Sequence, residues 1–131
     1  MQRTTTCIGS LSNVDLATVA NTRMRFTESN REFIISQIIV VAYGTIGVIT
    51  DPAYIAISRD NGGGYTDYYG PTQLSGGMST GEVSLITPTA GWITAIPAYS
   101  DMYFRVTTAA NMSSGNCKAD VYVYGYYLNI N

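Results

Sequence analysis

The sequence has 131 residues, a net charge of −2 and no histidine, and its seven basic residues are scattered between Arg3 and Lys118. This length predicts one domain over residues 1–131, and the scattered charge disfavours nucleic acid and anionic membrane surfaces, which bind clustered Lys and Arg. Charged residues make up 12% of the chain, about half of the usual ~25%, so the surface is expected to be polar but nearly uncharged.

The N-terminal segment carries no targeting signal. Residues 1–6 lead into no apolar h-region, and the longest apolar run, residues 38–43, is far shorter than the ~20 residues of a membrane helix. We expect a chain made in the cytoplasm without a signal peptide and with no membrane partner. Residues 1–13, which begin with a polar threonine run, are predicted as an extended arm that reaches a neighbour.

Short segments with a period of two follow along the chain, separated by Gly, Pro, Asn, Asp and Ser clusters typical of turns. The predicted strands are residues 14–20, 23–27, 33–43, 53–59, 82–86, 92–98, 102–108 and 119–130. No segment carries a sustained helical period with caps. About eight short strands predict an all-β fold, an antiparallel β-sandwich with a jelly-roll-like or Greek-key arrangement.

Two of these strands are apolar on both faces. Strict alternation in residues 33–43 gives two sets, Phe33, Ile35, Ile39, Val41 and Tyr43 on one face and Ile34, Ile38, Val40 and Ala42 on the other. In the last strand, Val121, Val123 and Tyr127 share one face and Tyr122, Tyr124, Tyr126, Leu128 and Ile130 share the other. A two-layer sandwich covers only one face, so we expect the second to contact another subunit. The alternative is that the N-terminal thirty residues fold back over it.

The segment "ISRDNGGGYTDYYG", residues 57–70, has three interpretations. Adjacent Asp60 and Asn61, with Asp67 six residues further on, do not match the alternate spacing of a calcium loop. A glycan site would use Tyr65, Tyr68, Tyr69 or Trp92 as a stacking platform. The third interpretation is a tight turn, because Asn and Gly tolerate positive φ.

The residues for catalysis are sparse. Without histidine, Ser-His-Asp and Cys-His machinery and histidine metal sites are excluded. Several acids, such as Asp51, Asp60 and Asp101, stand in turn signals, whereas catalytic carboxylates flank a cleft. We expect a protein that is not an enzyme and has no cofactor or metal. Cys7 and Cys117 are predicted to be two buried free thiols; the alternative is a disulfide, which is possible only if the first and last strands are neighbours.

The whole chain resembles the small β-sandwich virion proteins of tailed bacteriophages, above all the head decoration or cement proteins. The resemblance lies in "MRFTESNREFIISQIIVVAYG", "LITPTAGWITAIPAYSDMYFRVTTAA" and the tyrosine-rich "VYVYGYYLNIN". It implies a homo-oligomer, with a trimer favoured, that binds the major capsid protein or another virion protein on the outside of the shell and stabilises it. The resemblance has no diagnostic motif and assigns no functional residue.

A binding module is the rival hypothesis. The chain would then be a lectin-like or receptor-binding β-sandwich, such as a head-fibre or tail-tip domain, with a glycan as partner. Exposure of Tyr65, Tyr68, Tyr69 and Trp92 in one concavity would favour it. Tyr122, Tyr124 and Tyr126 in a protein interface would favour the structural role. A third hypothesis, a secreted adhesin subunit, is weakened by the missing signal sequence.

Overall fold

The computed structural model describes residues 6–26, 30–43, 49–74, 83–86, 95–112 and 115–128. These residues form strands and no helix, as the sequence predicted. The strands are β1 (Thr6–Asp15), β2 (Ala20–Met24), β3 (Phe33–Tyr43), β4 (Ile49–Asp51), β5 (Tyr54–Asp60), β6 (Tyr65–Gln73), β7 (Val83–Ile86), β8 (Met102–Thr108), β9 (Asn111–Met112) and β10 (Lys118–Tyr127).

Eight of these strands form two four-stranded antiparallel sheets. The first sheet has the order β1-β10-β3-β7 and the second β2-β8-β5-β6, while β4 and β9 form a small separate pair. Strands from the two ends of the chain pair first, and strands progressively nearer its middle pair next, as in one long hairpin folded over itself. The four pairs are β1 with β10, β2 with β8, β3 with β7 and β5 with β6. This strand order is that of a jelly roll, so the predicted fold class is confirmed.

The core lies between the two sheets and follows the alternation of the strands. In β8, Met102, Phe104 and Val106 are buried, and in β10 Val121 and Val123 are fully buried. The side chains between them in sequence are only half-buried. This is the pattern of a sheet with one face on a core and one face outward.

The prediction of the two faces of β3 was wrong beyond Ser36. The buried residues are Phe33 and Ile35 and then Ile38, Val40 and Ala42, so the phase changes in the middle of the strand. A register shift opposite Tyr124 and Gly125 inserts one extra residue into β3. Such a β-bulge turns every later side chain to the opposite face.

The prediction of an extended N-terminal arm was also wrong for residues 6–13. Residues 6–13 form most of β1, which pairs with β10 over its whole length, and residues 1–5 lie outside the described residues. The described residues 6–26 thus add one edge strand to each sheet. None of them folds back over the outer face of the first sheet, because β1 lies beside β10.

The two cysteines are free thiols although β1 and β10 are neighbours. Cys117 is buried as predicted, but Cys7 is exposed, so the prediction of a buried thiol was wrong for Cys7. Cys7 lies opposite Tyr124, whereas the carbonyl of Cys117 accepts a hydrogen bond from the amide of Leu16 at the far end of β1. The pairing of the strands thus holds the two cysteines near opposite ends.

Candidate functional site

Three tyrosines stand in a row on the outer face of the first sheet. Cross-strand pairing sets Tyr122 opposite Ile39 and Tyr126 opposite Ile34, and Val41 continues the row on β3. All are half-buried within the isolated chain. We call this surface the tyrosine face, and its members are Ile34, Ile39, Val41, Tyr122, Tyr124 and Tyr126.

The surroundings of the tyrosine face are mostly uncharged. Ser10 and Cys7 of β1 pair with Tyr122 and Tyr124, and Gln37 lies opposite Tyr124 on the other side. The hydroxyl of Ser36 donates to the carbonyl oxygen of Tyr124 at 3.2 Å. The centre of the face therefore offers aromatic rings with few charges, and the cores of protein interfaces are enriched in aromatic residues and depleted of charged ones.

Charge enters at one end of this face. The hydroxyl of Tyr43 donates to Oδ1 of Asn13 at 3.1 Å, and the amide of Asn13 donates to Oδ1 of Asp120 at 3.1 Å. Partial desolvation and the Asp120 carboxylate raise the pKa of Tyr43 above its ordinary value. Lys118 pairs with Tyr43 on the neighbouring strand. This polar end fixes β1, β10 and β3 in register.

Of the last two residues predicted for this face, only Leu128 belongs to the described residues. Leu128 is half-buried just after β10, and its amide donates to the carbonyl of Glu32. The guanidinium of Arg31 donates to the Leu128 carbonyl and lies over the ring of Tyr127 at 5.2 Å. Ile130 lies outside the described residues.

Residues 57–70 are a β-hairpin, in agreement with the turn interpretation. β5 and β6 pair from Tyr54 to Asp60, and the amide of Asn61 donates to the carbonyl of Gly64. Oδ1 of Asp60 accepts from the amide of Gly62, whose φ of +90° suits glycine. The side-chain amide of Asn61 donates to the hydroxyl of Thr66 at 2.5 Å. The Asp60 carboxylate and the Asn61 side chain therefore stabilise the turn.

Asp67 belongs to a polar cluster on the outer face of the second sheet. Its Oδ1 accepts from the hydroxyl of buried Ser58 at 2.5 Å and pairs with Arg105 at 3.1 Å. The Arg105 guanidinium also donates to Asn21 and lies 4.3 Å over the ring of Tyr65. These groups satisfy one another, so the cluster joins β2, β8, β5 and β6 rather than presenting free ligands.

The tyrosines of the predicted glycan platform point to different places. Tyr65 packs edge-to-face on Tyr103 at 5.5 Å, and Tyr68 packs against the core. Tyr69 is only 2% exposed and lies within the core, so for this residue the prediction was wrong. A bulge in the pairing of β5 and β6 near Tyr68 sends Tyr69 inward, and the fourth residue, Trp92, lies outside the described residues.

A groove that the sequence did not reveal lies beside the end of β2. It has a volume of about 340 Å³, and its walls include Arg23, Arg25, Phe26, Phe33, Tyr99 and Asp101. These residues come from separate elements, so no motif announces them. The one local signal was "RMRF", residues 23–26, which alternates arginine with apolar side chains.

Within the described residues, neither a metal cluster nor a membrane-spanning helix is found. No group of three or more Cys, Asp and Glu side chains is placed to hold a metal ion there. Likewise, that part of the chain contains no helix long and apolar enough to cross a bilayer.

The chain was compared with protein-family models, curated proteins and solved structures. None of the three comparisons found a match.

Proposed function

We propose that this protein is a non-enzymatic structural component of a virion, a capsid decoration or cement protein. It forms a homo-oligomer, with a trimer favoured, and stabilises the shell by binding the major capsid subunits. The observation that carries the proposal is the tyrosine face. An aromatic and aliphatic surface with almost no charge is the composition that protein interfaces select.

The position of the tyrosine face supports an intermolecular role. The described N-terminal residues extend the sheets instead of covering this face. Tyr122, Tyr124 and Tyr126 carry large rings with hydroxyl groups, and such residues contribute much of the binding energy in protein interfaces. The aliphatic residues paired with them on β3, Ile34 and Ile39, add apolar surface that a second protein can contact.

The architecture supports the same proposal at the level of analogy. Double-sheet jelly rolls are found in viral capsid proteins and in lectins, so the fold is compatible with a virion but does not assign a function. The resemblance of the whole chain to phage head decoration proteins favours the capsid over the lectin. A polar surface with few charges also suits dense packing, because neighbouring copies repel each other little.

The glycan-binding alternative loses its original site. With Tyr69 in the core and Tyr68 packed on it, the hairpin of residues 57–70 has only Tyr65 left among its three tyrosines for a platform. The hairpin therefore does not favour a lectin-like function.

The oligomer is tested by Tyr124→Asp, with Tyr54→Asp as the matched control. Tyr54 is a strand tyrosine of the second sheet, 38% exposed, outside the tyrosine face. We expect light scattering to give about three times the chain mass for the wild type and for the control, and the mass of one chain for Tyr124→Asp. Loss of an interface tyrosine costs about 2 kcal/mol or more, roughly 30-fold in affinity. A folded Tyr124→Asp protein of unchanged mass contradicts the proposal.

The proposed location in the virion is tested by mass spectrometry of intact particles of the phage that encodes the chain. We expect its peptides in the particle fraction, in amounts comparable to those of the major capsid protein. Added protein should also co-sediment with shells that lack it, and Tyr124→Asp should bind them less. Particles that contain none of the chain contradict the proposed role.

A further inference from the structure

The groove beside β2 has the form of a small-molecule site. Its volume of about 340 Å³ lies at the lower end of the range for ligand pockets, ~300–1,000 Å³. Buried Met24 and Phe33 belong to its lining, and the Phe26 ring lies 4.5 Å from that of Phe33. The groove thus combines an apolar base with charged side chains at its walls, and none of its lining residues belongs to the tyrosine face.

Tyr99 is held in the groove wall with its ring in solvent. It is 78% exposed and has a φ of +61°, a conformation that is rare for a bulky side chain. The turn is fixed on both sides, because the hydroxyl of Ser100 donates to the Pro97 carbonyl at 2.7 Å and the amide of Asp60 donates to the Asp101 carbonyl at 2.9 Å. Residues held in sparsely populated backbone conformations cluster at active sites and ligand clamps.

The charges of the groove fit a ligand with one negative charge. Arg23 pairs with Asp101 at 2.9 Å, whereas Arg25 is exposed and has no ion pair with any described residue. Two guanidinium groups and one carboxylate leave one net positive charge. This matches a single carboxylate better than a phosphate group, which carries about −1.5 to −2.

We propose that this groove binds an acidic sugar, a uronic or sialic acid unit of a polysaccharide. The sugar carboxylate pairs with Arg25, the apolar face of the sugar ring packs on Tyr99, and the Asp101 carboxylate accepts from a ring hydroxyl. Guanidinium groups suit carboxylates because their donors match both oxygens. An acidic peptide side chain would use Arg25 but would leave the exposed aromatic ring unused.

The test is an NMR titration of the ¹⁵N-labelled wild-type protein with sialyllactose, and separately with tri-galacturonate. Lactose and the methyl ester of tri-galacturonate are the uncharged counterparts. We expect saturable shifts at the amides of Arg25, Tyr99 and Asp101 with the two acidic sugars, and much smaller shifts with the neutral ones.

Two variants and one control test whether Arg25 and Tyr99 bind the sugar. Arg25→Ala and Tyr99→Asn should each weaken the binding by about tenfold or more, as expected for the loss of a hydrogen bond to a charged group or of an aromatic contact. Asn accepts the left-handed φ of position 99, so the turn is kept. Arg59→Ala removes an arginine of β5 outside the groove and should bind like the wild type.

Several results would overturn the proposal. These are no shifts at about 10 mM sugar, equal binding of neutral sugars, equal binding of a short aspartate peptide, or unchanged affinity in both groove variants. Failure of the virion role is distinguishable, because Tyr124→Asp should keep the sugar affinity of the wild type whatever its mass.

Discussion

Gly125 lies where β10 comes closest to β3, and Gly125→Ala tests that approach. The residue is buried between Tyr124 and Tyr126, at the register shift that puts the extra residue into β3. A Cβ built there would overlap the carbonyl oxygen of Ile34 and would stand 3.0 Å from Cδ1 of Ile8. The main obstacle is therefore backbone, which cannot turn away as the end of a flexible side chain can.

The expected loss of stability in Gly125→Ala depends on which atoms must move to make room for the new methyl group. Overpacking a core costs about 1–3 kcal/mol when side chains can adjust. Here the Ile34 carbonyl belongs to a strand paired on both sides, so we expect the upper end, about 3 kcal/mol. Set against a total stability of about 5–15 kcal/mol, this is a large loss. With a urea m-value of about 1–3 kcal/mol/M, the unfolding midpoint falls by roughly 1–3 M.

The assay is urea unfolding followed by circular dichroism at one protein concentration, with Gly63→Ala as the matched control. Gly63 stands in the hairpin turn with no atom within 4 Å of a built Cβ. Its replacement should leave the free energy of unfolding unchanged or raise it by about 0.4–1 kcal/mol. Equal midpoints for the two variants would refute the close approach of β10 and β3, and with it the bulge.

Two further predictions concern buried titratable groups. Burial raises the pKa of Tyr69, and since an unfolded tyrosine ionises near pH 10, the free energy of unfolding falls as the pH rises above about 10. Tyr69→Phe should reduce this alkaline loss in urea titrations at about pH 8 and 11, and an equal loss in both proteins would contradict the burial. Cys7 is exposed in the single chain, whereas Cys117 is 0% exposed and its pKa is raised first by burial and then by Asp15. In the monomeric Tyr124→Asp protein, where no partner covers the tyrosine face, one thiol should therefore react rapidly with Ellman's reagent and the second only in urea. In that background, Cys7→Ser should remove the fast reaction and Cys117→Ser should keep it; two fast thiols in the folded protein would contradict the structure.

The sequence predicted the fold class because alternation is local. In β10, Val121 and Val123 had to share one face and Tyr122 and Tyr124 the other, whatever the rest of the chain does, since successive side chains of a strand point to opposite sides. The same alternation holds in β8, where Phe104 is buried and Arg105 is half-buried. Turn residues between these segments were enough to predict a sandwich.

The positions of the β-bulges could be seen only in the tertiary structure. Alternation in β3 reverses after Ser36 because Gly125 of the partner strand lets the two backbones approach there. Gly125 was the visible signal, since a lone glycine within a strand is typical of a bulge, but its partner could not be read from the sequence. A bulge near Tyr68 likewise sends Tyr69 into the core.

The pairing of strands far apart in the chain was the second feature that only the tertiary structure revealed. Residues 6–13 are polar enough to have been predicted as an arm, yet they form an edge strand because β10 pairs with them, with two interruptions in the register. The groove of Arg25 and Tyr99 also arises from elements far apart in the chain. Local patterns thus determined which side chains alternate, and the contacts between distant strands decided where the alternation breaks and which surfaces result.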